Sequence, residues 1–124
     1  MATNATFRFS FGFFGPLLSL LGMGPSFSRV ELENDLLRVR MGWAFRARVP
    51  VHHITGTQLR SGLVGGIGVH GWRGRWLVNG ATTGLVAITV DPPDRAWVLG
   101  FPVKLRELTL SLEDPDALVA ALGR

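Results

Sequence analysis

The side chains able to hold an anion or stack on a ring gather in two stretches of the chain. The first is glycine-rich, residues 60–80, where His70, Trp72, Arg73 and Arg75 stand among seven glycines. Guanidinium groups beside indoles suit an anion, a base or a sugar, and glycine lets a ligand approach the backbone closely. These four residues are the ligand-binding candidates. The second stretch carries Arg38, Arg40, Arg46 and Arg48, each separated from the next apolar residue by one position. On strands, that spacing places all four on one face, which makes them the candidate anion patch.

Other chemistries find less in the sequence. Residues 66–71 match G-x-G-x-x-G, and Asp91 follows Gly71 by twenty positions. A dinucleotide site needs a strand before that motif and a helix opening at its end. Trp72-Arg-Gly-Arg-Trp76 offers no helical face, and Asp91 sits in Asp-Pro-Pro-Asp, read as a turn. His52 and His53 are adjacent, so on a regular strand they point to opposite faces and cannot share a metal. No cysteine is present, which removes thiolate chemistry and disulfides. No nucleophile–base pair or pair of carboxylates stands out. The expectation is therefore a protein without cofactor or metal that is not an enzyme. A site built from His70, Arg73 and Asp91 would need those three to converge in space.

Composition sets the frame. The 124 residues are 47% hydrophobic and 18% charged, enough for one packed domain. Net charge is +4, and twelve of the thirteen basic residues are arginine. This balance permits an acidic partner, an anionic membrane or a nucleic acid. The most apolar stretch, residues 11–23, is interrupted by Gly12, Gly15 and Pro16. It falls short of the roughly twenty residues of a membrane span and lacks the basic flank and cleavage site of a secretory signal. The expected location is cytoplasmic.

The elements that must position the candidates follow from periodicity. Residues 6–11 alternate as a strand, with Phe7, Phe9 and Phe11 on one face. Pro16 and Gly22 bracket a short helix with Leu17, Leu20 and Leu21 on its buried stripe. Residues 30–49 alternate strictly as a three-strand meander, turning at Asn34-Asp35 and at Gly42-Trp43. Glu31 and Glu33 are the acids placed to compensate the outer arginines. Residues 51–59 read as the next strand. Through 72–76 the alternation places Trp72, Gly74 and Trp76 on one face, with Arg73 and Arg75 on the other. Asn79-Gly80 signals a hairpin leading to the strand 85–90. Asp91-Pro-Pro-Asp94 reads as a rigid turn, Phe101-Pro102 as an interruption, and Leu108, Leu110 and Leu112 as inward-facing. A helix follows, with Asp114 as N-cap, Pro115 at its first position and Leu118, Val119 and Leu122 as its apolar stripe.

Meandering strands from Phe27, closed by a helix on Asp114-Pro-Asp-Ala-Leu-Val-Ala-Ala-Leu122, resemble the pleckstrin-homology-like barrel. The resemblance implies a mainly β fold, an antiparallel two-sheet half-open barrel with one C-terminal helix plugging a corner. It covers residues 27–124, and residues 1–26 add a strand and a short N-terminal helix packed on the domain. Leu37-Arg-Val-Arg-Met-Gly-Trp43 and Leu99-Gly-Phe-Pro-Val103 also resemble phrases in small proteins of high-GC actinobacteria. Relatives of this fold bind phosphoinositides through a basic first turn. Here that turn is Glu33-Asn34-Asp35, which is acidic, so the lipid function is not carried over. The functional expectation is a non-catalytic binding or scaffolding domain for a partner protein or small ligand. Contact with a membrane surface through the outer arginines is the second reading, with nucleic acid less favoured than either. A small-ligand barrel or enzyme using the glycine-rich stretch is the third.

Overall fold

The computed structural model describes residues 5–9, 28–60, 68–79 and 84–123. The expected short helix at 16–22 and the Phe11 end of the first strand lie outside them. The described residues are mainly β, with one helix after the last strand. Nine strands form one hydrogen-bonded sheet: β1 (Ala5–Phe7), β2 (Ser28–Glu33), β3 (Leu36–Met41), β4 (Phe45–Pro50), β5 (Ile54–Arg60), β6 (Gly68–Trp72), β7 (Arg75–Asn79), β8 (Leu85–Val98) and β9 (Phe101–Ser111). The helix α1 is Pro115–Leu122.

The strict alternation of β2, β3 and β4 determines which face is buried. Val30, Leu32, Leu37, Val39, Met41, Phe45, Ala47 and Val49 all lie in the core, while the arginines between them face out. A one-residue slip would exchange the two sets, so the register is strongly specified. The β2–β3 turn is Asn34-Asp35, and both residues take positive φ, the primed-turn geometry whose twist matches a hairpin. Leu99-Gly100 closes the β8–β9 hairpin in the same way. Phe7 and Phe9 bring the N-terminal segment into the same core, through the β1–β2 ladder and a bridge from Phe9 to Leu112.

β8 joins the two parts of the sheet. Its first half pairs with β5 and its last residues with β4, while β9 runs along its other edge. Asp91-Pro-Pro-Asp94, expected as a turn between strands, lies inside this single fourteen-residue strand. Its register on β9 shifts between Thr89 and Asp94. Proline has no N–H to give the ladder, so the two prolines occupy an irregularity that redirects the strand.

Three further expectations are corrected. Residues 72–76 are not one strand, because Arg73 and Gly74 take positive φ and form the turn between β6 and β7. Asn79-Gly80 does not close a hairpin with β8: β9 stands between the two strands and pairs with β7 in parallel. The sheet is therefore not wholly antiparallel. Residues 51–53 form a 3-10 turn rather than the start of β5, and the rings of His52 and His53 meet edge to face, 4.5 Å apart.

The helix forms where its caps place it. Asp114 accepts a hydrogen bond from the Ala117 N–H at 3.1 Å, Pro115 takes the first position, and Gly123 ends the helix with φ 65°. Leu118 and Leu122 are buried in the common core, with Val119 half-buried beside them. No helix among the described residues is long and apolar enough to cross a membrane.

Candidate anion-binding face

The β3–β4 ladder pairs Arg38 directly with Arg48 and Arg40 directly with Arg46. The neighbouring ladders extend these pairs into rows across the sheet. One row runs Arg29, Arg40, Arg46, Trp97 from β2 to β8, and the other Glu31, Arg38, Arg48 from β2 to β4. Successive rows stand two residues apart along the strands, about 6.6–6.8 Å. Together they line an open groove of about 790 Å³ with five arginines and one glutamate.

Little neutralises this charge. Glu31 stands across from Arg38, yet the ion pair it makes is with Arg29, at 4.0 Å. Among the described residues, no carboxylate lies within ion-pair distance of Arg38, Arg40, Arg46 or Arg48. Arg46 stacks its guanidinium over the Trp97 ring, 5.2 Å from the centroid, a favourable contact worth about 0.5–1 kcal/mol at an exposed site. Arg40 points its Nε back at the Gly42 carbonyl at 3.4 Å, beyond a good hydrogen bond. The four arginines expected on one outer face are there, and the acids expected to compensate them do not reach them.

At one end the groove meets two turns. Residues 42–44 join β3 to β4, residues 99–100 join β8 to β9, and the Leu99 N–H donates to the Ala44 carbonyl at 3.0 Å. A cavity of about 250 Å³ opens there between Gly42, Trp43, Trp97 and Gly100, flanked by Arg40 and Arg46. Of its lining residues Trp43 is 62% exposed; Leu99 and Phe101 do not line it, and Phe101, paired with Val98, lies on the face of Phe45. Trp43 and Trp97 give this end of the groove an aromatic lining.

The glycine-rich candidates are arranged differently. The backbones of His70 and Trp72 lie in β6, opposite Leu77 and Arg75, and their side chains fall outside what the structure describes. Arg73 is exposed at the β6–β7 turn. Arg75 is held by Glu107, its Nε donating to Oε2 at 3.1 Å, while Arg60 donates to the other carboxylate oxygen at 2.9 Å. Glu107 thus clamps β5 and β7 onto β9, and Arg75 has a structural partner. Trp76 packs partly buried against the core and donates its indole N–H to the Lys104 carbonyl at 3.2 Å. Asp91 stands on β8, with β9 and β7 between it and the strand of His70, about 14 Å at ordinary strand spacing.

Sequence reasoning missed one feature of the site and one contact outside it. Trp97 completes a row of arginines far from it in the chain, and only the β4–β8 ladder connects them. His53 Nδ1 lies 2.8 Å from Asp94 Oδ2, tying the 3-10 turn to β8, and neither residue is flagged by its neighbours. No family model, curated protein or solved structure matches the chain.

Proposed function

We propose that this chain is a non-catalytic binding domain whose working surface is the arginine face of β2, β3, β4 and β8, and that it takes a ligand carrying several negative charges. The observation that carries this reading is the pair of direct Arg–Arg oppositions, Arg38 with Arg48 and Arg40 with Arg46, none of the four ion-paired to a carboxylate among the described residues. Like charges opposed across a ladder destabilise a sheet. Side chains that only had to be soluble could alternate in sign; these four do not. An anion seated between the rows would relieve the repulsion, so binding and folding would reinforce each other.

We further infer that the sheet is arranged as a pleckstrin-homology-like half-open barrel. Two features support this: the irregularity in β8 where its partner changes from β5 to β4, and the α1 contacts with β5 and β8. The parallel β7–β9 pair is a departure from the wholly antiparallel form.

The test is titration with a simple polyanion, poly-aspartate, at low salt, followed by the indole N–H resonance of Trp97. Binding should weaken steeply as salt rises, because exposed charges are screened within about 10 Å at 0.1 M. It should be lost in an Arg40→Glu/Arg46→Glu variant that keeps its circular dichroism. Absence of binding at low salt, or binding untouched by that variant, would overturn the proposal.

A further inference from the structure

Resting on that reading, we propose that the natural occupant of the groove is an extended acidic segment of a partner protein, with carboxylates at alternate positions and an apolar side chain two positions beyond them. The spacing of the rows makes the argument. Arg40 and Arg46 form one row and Arg38 and Arg48 the next, two strand residues along. An extended peptide lying along β3 and β4 repeats its own same-face side chains at the same interval, about 6.6–6.8 Å. Acidic residues at i and i+2 would each stand between two guanidinium groups.

The next same-face position, i+4, falls one interval further on. That interval leads past the Arg40–Arg46 row to the turns at 42–44 and 99–100, where the 250 Å³ cavity opens. The lining changes character there, from the arginine rows to Trp43 and Trp97 beside Arg40 and Arg46. An aromatic or branched aliphatic side chain matches that end in size and polarity. Aromatic residues and arginine are the types that most often dominate protein–protein contacts.

The same geometry disfavours the other polyanions. A bilayer pressed against the two turns would bring Arg40 and Arg46 to its headgroups and leave Arg38 and Arg48 about one further interval above them. A ligand running along the strands reaches both rows. A single-stranded nucleic acid needs successive aromatic platforms. Along the two arginine rows the groove offers Trp97 alone among the described residues, with Arg46 already on its ring and Glu31 in the second row.

The experiment compares three labelled peptides by fluorescence anisotropy: Ser-Glu-Ser-Glu-Ser-Phe-Ser, the same peptide with Ser for Phe, and Ser-Glu-Glu-Ser-Ser-Phe-Ser. The first should bind about fivefold or more tightly than either control, the size of one exposed ion pair or one part-buried apolar contact. Its advantage over the Phe-less peptide should vanish in Trp43→Ser, an exposed position that lines the cavity. Arg40→Glu/Arg48→Glu should abolish binding of all three. Equal affinities for the three peptides, all lost in the arginine variant, would overturn the peptide register while leaving a general anion site standing. Binding of phosphatidylserine vesicles or an oligothymidylate in preference to the first peptide would also overturn it. Failure of every polyanion, poly-aspartate included, would overturn the underlying reading as well.

Discussion

Replacing Arg48 with glutamate should make the protein more stable and its groove less able to bind. Arg48 is the cleanest site for this test. It faces Arg38 across the ladder, lies beyond the β4–β8 pairing, and makes neither the ring contact of Arg46 nor the turn contact of Arg40. At about 5 Å in water, two unit charges repel by roughly 0.8 kcal/mol, and 0.1 M salt takes this to about 0.5 kcal/mol. Reversing one charge turns that repulsion into an attraction of similar size, a swing of about 1 kcal/mol. Guanidinium groups on long side chains can splay apart, which trims the gain, and measured cross-strand pairs contribute about 0.2–1 kcal/mol. The net expectation for Arg48→Glu is a stabilisation of about 0.5–1 kcal/mol, read as a Tm rise of roughly 2–5 °C for a domain of this size.

Urea denaturation at low and at molar salt checks both the sign and the origin. The difference between variant and parent should shrink as salt rises, since only the electrostatic part is screened. The parent itself should gain stability from added poly-aspartate, and the variant much less. A variant as stable as the parent or less stable, together with a parent indifferent to salt, would show that the arginines do not repel one another, and the case for a ligand between them would fall.

Two further changes test the frame that holds this face. Leu118→Ala removes a fully buried side chain from the helix–sheet contact and should cost about 2–5 kcal/mol in urea denaturation; a loss below about half a kilocalorie would mean that α1 is not docked. Gly84→Ala should cost about 1–3 kcal/mol, because Gly84 has φ 66° and an added Cβ would collide with the Leu112 carbonyl oxygen, on a residue whose own N–H donates to the Gly84 carbonyl at 2.8 Å. An unchanged denaturation midpoint would contradict that close approach.

What could be read from the residues alone was local. Alternation across 30–49 identifies β2, β3 and β4 and which side of each is buried, because a period of two has one meaning on a half-buried strand. Asp114 and Pro115 identify the start of α1 through capping chemistry that acts within four residues. Local signals failed where two structures share one pattern. Trp72-Arg-Gly-Arg-Trp76 alternates as a strand would, yet Arg73 adopts positive φ, and a non-glycine residue in that conformation has no reliable signature. Asp91-Pro-Pro-Asp94 has the composition of a turn, but the same residues fit an irregular strand interior where the ladder is already broken.

The candidate site divides along the same line. Its charge was visible because the arginines repeat with the strand period. Its shape was not, because shape depends on which strand lies beside β4. The Asn79-Gly80 signal favours pairing β7 with β8, yet β8 takes β9 on one edge and shares the other between β5 and β4. That choice brings Trp97 alongside Arg46 and the Leu99 turn alongside Trp43. Without it, the outer arginines are a solvated stripe with no end. With it, the stripe has an aromatic wall on one side and an apolar terminus, and a ligand must match it in direction and spacing as well as in charge. The peptide comparison tests that added constraint, since net charge is the same in all three probes and only order and polarity differ.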